Sequence, residues 1–136
     1  MDYQRSVTVD LPYAEAVTRT RAALAEQGFG ILTEIDVQAT LKQKRGLEME
    51  PYVILGACNP DLAHRALEID RDIGVLLPCN VVVSARQGGG STVRILDPQL
   101  MASVTELVGL RPPPDEASLR LQTVLDILTA AEGDHP

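Results

Sequence analysis

Val81-Val82-Val83-Ser84-Ala85-Arg86, then Gln87-Gly88-Gly89-Gly90, then Thr92-Val93-Arg94-Ile95-Leu96: the reading of this stretch decides the fold. Two runs rich in β-branched residues flank a glycine turn, which predicts a β-hairpin. The glycine run is not a phosphate loop, because a strand follows it where such a loop needs a helix N-terminus. A hairpin alone does not hold in water, so further strands and a covering layer are expected from the rest of the chain.

Working outward, Tyr3 to Val9 alternates, with Tyr3, Val7 and Val9 on one side and Gln4, Ser6 and Thr8 on the other. It reads as a half-buried strand. Asp10 and Pro12 then suit a helix start, and a helix to about Gln27 is predicted with Ala14, Val17, Leu24 and Ala25 on its buried stripe. Ile31, Thr33, Ile35 and Val37 alternate as a second strand, followed by a short basic helix from Gln38 to Arg45 that Gly46 closes. Tyr52 to Ala57 is a third strand. Asn59-Pro60 opens a helix with Leu62, Ala66, Ile69 and Ile73 on its apolar stripe and His64, Arg65, Glu68 and Arg71 outside it. Beyond the hairpin, Asp97-Pro98 starts a helix carrying Leu100, Met101, Val104, Leu107 and Val108 as far as Gly109. Pro112 to Pro114 is a stiff connector. The last helix, about Asp115 to Ala131, buries Ala117, Leu121, Val124, Leu125 and Leu128, with Leu119 and Ile127 off that stripe. The order β-α-β-(α)-β-α-β-β-α-α is α+β: a mixed, mostly antiparallel sheet of about five strands with helices packed on it. One domain over residues 1–132 is expected, with 133–136 as a disordered tail.

Charge and composition narrow the function. Nineteen acidic against twelve basic residues give a net charge of −7, a field that repels polyanions, so nucleic acid is not an expected partner. Tyr3, Tyr13, Phe29 and Tyr52 are the whole aromatic set, too few for a base-stacking platform. No apolar run reaches the roughly 18 residues of a membrane span. The N-terminus runs straight into a strand pattern with no signal peptide, and two cysteines suit reduced thiols, so a cytoplasmic protein is expected.

Several segments carry a family resemblance: Gln27-Gly28-Phe29-Gly30, Thr33-Glu34-Ile35-Asp36, Leu55-Gly56-Ala57-Cys58-Asn59-Pro60, Gly74-Val75-Leu76-Leu77-Pro78-Cys79-Asn80-Val81, Asp97-Pro98 and Met101. With them the chain resembles the domain of unknown function 302 family over nearly its whole length. The resemblance implies a TATA-box-binding-protein-like architecture, in which helices lie on one side of a curved antiparallel sheet, and it implies a homodimer. It implies no activity. Neither does the fold relationship import DNA binding, because function resides in sites and not in folds.

Four residues are the candidate ligand-binding set: Cys58, Asn59, Cys79 and Asn80. Cys58 precedes a helix N-terminus, whose partial positive charge favours a thiolate. Cys-Asn-Pro and its near mirror Pro-Cys-Asn can face each other across adjacent strands, which would suit a soft metal or a disulfide cycle. Free cysteine is, however, among the most buried residue types, and packing is the stronger reading for both. A closed zinc site needs four ligands, and His64 stands on a polar helix face beside Glu68 while His135 lies in the tail. Asn59 reads first as a helix cap. Lys42, Lys44 and Arg45 read as a solvated helix face, and Glu34, Asp36, Glu48 and Glu50 form no catalytic pattern. The expected function is therefore a non-catalytic, homodimeric domain that binds a small ligand or a partner. The alternative is thiol redox or soft-metal chemistry at Cys58 and Cys79. No cofactor is implied.

Overall fold

The computed structural model describes residues 3–97 and 113–133. The hairpin forms as predicted, with β4 (Cys79–Ala85) paired to β5 (Ser91–Leu96) and Val81 opposite Ile95, Val83 opposite Val93. Arg86 donates its N–H to the Gly90 carbonyl at 3.0 Å to close the turn. β1 (Gln4–Val9) adds to β5, β3 (Tyr52–Cys58) adds to β4, and β2 (Gly30–Asp36) adds to β3. The order is β1-β5-β4-β3-β2, and every neighbouring pair is antiparallel.

Alternation along each strand sorts the side chains onto two faces. The inner face presents Val7, Val9, Val53, Leu55, Ala57, Val81, Val83, Val93 and Ile95 to helices α1 (Tyr13–Glu26) and α4 (Pro113–Gly133), and together they form one core. Each fully buried valine or leucine here contributes roughly 1.5–3 kcal/mol relative to exposure. In α4, Leu121, Val124, Leu125 and Leu128 are buried at helical spacing as predicted, Ile127 packs at the core's margin, and Leu119 is 71% exposed. The helix begins at Pro113, where the connector was expected, because proline is tolerated in a first turn whose N–H groups need no partner. In α1, Leu24 is buried and Val17 is partly buried against the core, but Ala14 and Ala25 are exposed and Ala16, Thr20 and Ala23 take their places. Alanines offer too little apolar area to reveal their face in sequence. Nor does Asp10 cap the helix: Pro12 stands at that position, without a side-chain hydrogen bond.

β2 departs furthest from its predicted pattern. A bulge between Ile31 and Thr33 shifts the register, so that Ile31 pairs with Ala57 on the inner face while Thr33 and Ile35 pair with Gly56 and Ile54 on the outer face. Ile31 packs against the core, but Ile35 is 48% exposed, and Val37 belongs to the next helix. Glu34 is turned to the helix side, where it accepts from Arg21 Nη2 of α1 at 2.7 Å.

Local signals set the remaining elements. Asp36 caps α2 (Val37–Arg45) by accepting from the Ala39 N–H, and Gly46 ends it in the left-handed conformation. Asn59 caps α3 (Pro60–Ile69) by accepting from the Leu62 N–H, a bond worth about 1 kcal/mol at such positions. Asp70 breaks the chain into a 3-10 turn, Arg71–Leu76, which buries Ile73 against Ala66 and leaves Ile69 51% exposed, contrary to its predicted place on the stripe. The helix expected from Asp97-Pro98 to Gly109 and the tail with His135 fall outside the described residues, except for Asp97, whose N–H donates to the Tyr3 carbonyl at 2.8 Å.

One close approach fastens β2 and β4 to β3. A Cβ on Gly56 would overlap Thr33 Oγ1 and stand 3.0 Å from Pro78 Cγ. Gly56→Ala is expected to lower stability by about 1–3 kcal/mol through overpacking. Adding Thr33→Ala is expected to restore part of that loss, because only the Oγ1 overlap is removed. Urea unfolding of the four proteins of the double-mutant cycle measures the coupling, and strict additivity would show that the contact is not the cause.

Candidate functional site

Three of the motif segments meet at one end of the sheet. Gly30 pairs with Cys58, Ala57 with Cys79, and Gly56 with Asn80. The Cys-Asn-Pro and Pro-Cys-Asn motifs do lie on adjacent strands. Their register separates the thiols: Cys79 is opposite Ala57 and joins the inner core, whereas Cys58 lies one residue further on and leaves the pleat on the other face. Both are free cysteines.

Their environments do not favour thiolates. Burial pushes the Cys58 thiol up despite the helix start beside it. Burial pushes Cys79 up as well, and a negative charge on Cys58 would raise it further. Among the described residues, no group of three or more His, Cys, Asp or Glu side chains could hold a metal ion. His64 stands at 3.5 Å from Glu68 on the exposed face of α3, the solvated pair expected for it. Nothing in this geometry supports the redox or soft-metal alternative.

Asn59 belongs to a different neighbourhood from Asn80. Its amide caps α3 and faces Gly28, where a Cβ would come within 2.8 Å of Asn59 Nδ2 and 2.9 Å of Arg120 Nη1. Gly28 also has φ +83, so a side chain there is strained as well as crowded. Arg120 donates to the Gln27 carbonyl at 2.9 Å and to Glu116 at 2.8 Å, and Arg65 donates to the other Glu116 oxygen at 2.7 Å. The Arg65 hydrogen bond, followed by that of Arg120, holds the Glu116 carboxyl below the usual carboxylate range. This corner joins the end of α1 to the starts of α3 and α4. Its polar groups satisfy one another.

Asn80 opens onto the outer face, where it lines a cavity of about 430 Å³ whose lining also includes the core residues Ile95 and Leu121. Of the four expected ligand residues, Cys79 and Asn80 line it, whereas Cys58 and Asn59 are not among its lining residues. Val82, Leu76, Pro78 and Leu96 supply apolar walls, and Tyr3, Gln4, Tyr52 and Arg94 supply polar groups. Arg94 Nη1 donates to Ser84 Oγ at 2.8 Å. Gln4 Oε1 is buried without a hydrogen-bond partner. Reasoning from sequence missed Gln4, Tyr52, Val82 and Arg94. The available signal was alternation: Val82 and Arg94 are the outward-facing members of a hairpin whose inward members form the core.

The pKa directions yield a direct expectation. Near neutral pH both thiols should alkylate with iodoacetamide more slowly than free cysteine, and their rates should climb only as pH rises past the usual thiol range. Time-quenched mass spectrometry of Cys58- and Cys79-containing peptides reads this. Fast alkylation of either thiol near pH 7 would contradict the burial argument.

Comparison with known proteins agrees with the architecture. The chain is similar to the crystal structure of an uncharacterized conserved protein DUF302 from Bacillus stearothermophilus, with 29% sequence identity, 94% of this chain and 99% of that chain covered, and a TM-score of 0.82. No curated protein matches it. The profile of the family described as domain of unknown function DUF302 matches residues 5–128, nearly the whole of the sheet and its helices. With the profile covering that much of the chain, and with the paired Cys-Asn motifs side by side in the sheet, this protein belongs to the DUF302 family.

Proposed function

We propose that this domain is a non-catalytic binding module that takes a small ligand in the outer-face cavity, with Cys79 and Asn80 on its wall, and that it works as a cytoplasmic homodimer. The observation that carries the reading is the cavity itself. At about 430 Å³, with apolar walls and a few convergent polar groups, it matches the usual anatomy of a small-molecule site. Cys79 serves there as a small apolar surface and not as a nucleophile. Two free thiols suit a reducing compartment. The net charge of −7 argues against nucleic acid as the partner. Among the described residues, no helix is long and apolar enough to cross a membrane.

Self-association has its own support. β2 is an edge strand, and Leu32 and Ile35 on it are 66% and 48% exposed. Exposed aliphatic side chains on a sheet edge are what a second copy would cover.

Two outcomes test this reading. In a thermal-shift screen of small molecules, hits should stabilise the natural protein and lose their effect on Val82→Trp, which fills the cavity from its floor; hits that act equally on both proteins would place binding elsewhere. In sedimentation velocity, the natural chain should run as a dimer and Leu32→Lys/Ile35→Lys as a folded monomer. A natural chain that is monomeric at all concentrations would remove the homodimer.

A further inference from the structure

We infer that the ligand of this cavity is an organic carboxylate with an apolar body, its carboxylate received by the guanidinium of Arg94; the inference rests on the ligand-binding reading above. The argument begins with charge pairing. Arg5, Arg19, Arg21, Arg65, Arg71 and Arg120 each stand within 4.0 Å of an aspartate or glutamate. Of the described arginines with no described carboxylate within that distance, Arg45 and Arg86 are exposed and Arg94 alone is half-buried. It is half-buried on the outer face, between Ser6 of β1 and Val82 of β4, and its side-chain hydrogen bond goes to the neutral hydroxyl of Ser84. A guanidinium has five N–H donors, so most of the fork is unused by side-chain partners. Among the described lining residues there is no carboxylate and no second cation.

A half-buried cation without a counter-charge is costly unless an anion arrives. The fork geometry matches a carboxylate, which accepts two parallel N–H bonds. One arginine with no helix N-terminus among the lining elements suits a single negative charge better than a phosphate. The rest of the cavity fits the remainder of such a molecule. Val82, Leu76, Pro78 and Leu96 offer apolar surface to a hydrocarbon body. Gln4, half-buried, also lines the cavity, and its buried Oε1 has no hydrogen-bond partner, so it is an acceptor that a donor on the ligand could satisfy. A hydroxyl or amine on the ligand would give that atom the partner it lacks.

The test uses matched probes on the full chain: octanoate and phenylacetate, each against its neutral primary amide, titrated by calorimetry and by two-dimensional NMR of the Val82 and Leu96 methyl groups. Each carboxylate should bind at least about tenfold more tightly than its amide, the span of one charge-assisted hydrogen-bond pair. Arg94→Gln should remove that preference while leaving the affinity for the amide in place, and Arg94→Lys, which keeps the charge but loses the fork, should retain only part of it. Unchanged methyl spectra in the free variants exclude a folding defect, and if Arg94→Gln disturbs them, Arg94→Lys alone carries the comparison. Equal binding of acid and amide to the natural protein would overturn the carboxylate inference and leave the ligand-binding reading intact. If neither series moves the Val82 and Leu96 methyls, both fall together.

Discussion

The register of β4 against β5 is the constraint on which the rest of this molecule depends. With Val81 opposite Ile95 and Val83 opposite Val93, one face of the hairpin is mainly aliphatic and the other carries Val82, Ser84, Thr92 and Arg94. A slip of one residue would exchange the faces, turning Arg94 into the core and Val93 out of it. The inner face demands a cover, which α1 and α4 supply, and the addition of β1 and β3 on either side extends the same face. The outer face owes its mixed character to the same alternation. The cavity follows from the same alternation: Asn80, Val82 and Arg94, which the core does not take, line it beside the core residues Ile95 and Leu121.

Much of this was legible in sequence wherever the signal was local. Gly46 and Asn59 mark helix ends because the bond each makes is to its own neighbourhood, whereas the capping role of Asp36 was hidden in the reading of β2. The hairpin announces itself through glycine between two β-branched runs. Leu121, Val124, Leu125 and Leu128 declare the face of α4 by bulk and spacing. β2 was misread because a bulge is an irregularity of backbone pairing, and no side chain in Ile31-Leu32-Thr33 marks it. In α1, the small alanines left the phase open by one position.

The site was partly legible, and for a different reason. The paired Cys-Asn motifs directed attention to one end of the sheet, and two of their four residues line the cavity there. The other two serve as strand end and helix cap. A cysteine draws notice by its chemistry, whereas an arginine alternating with valine and isoleucine looks like an ordinary solvent-facing residue. What distinguishes Arg94 among the described residues is half-burial with no carboxylate beside it, and that is a three-dimensional property. Residues from β1, β3, β4, β5 and the 3-10 turn converge on the cavity, so no short segment of sequence contains it. The cysteines illustrate the converse: their spacing invites a pairing that the pleat then forbids.

The bulge in β2 bears on how copies of the chain can meet. An open sheet has two edges, here β1 and β2, and an uninterrupted edge pairs with another through a continuous backbone ladder. If β1 of one copy paired with β2 of the next, the contact would be heterologous and would repeat without end, as in a fibre. The bulge breaks the ladder after Ile31, and Glu34 and Asp36 place charge along the remainder. That leaves aliphatic side chains such as Leu32 and Ile35, and not hydrogen-bonding backbone, as the means by which this edge meets another surface. Breaking the edge ladder is one of the ways a sheet resists edge-to-edge pairing, so the irregularity that obscured the strand in sequence also acts against open-ended polymerisation.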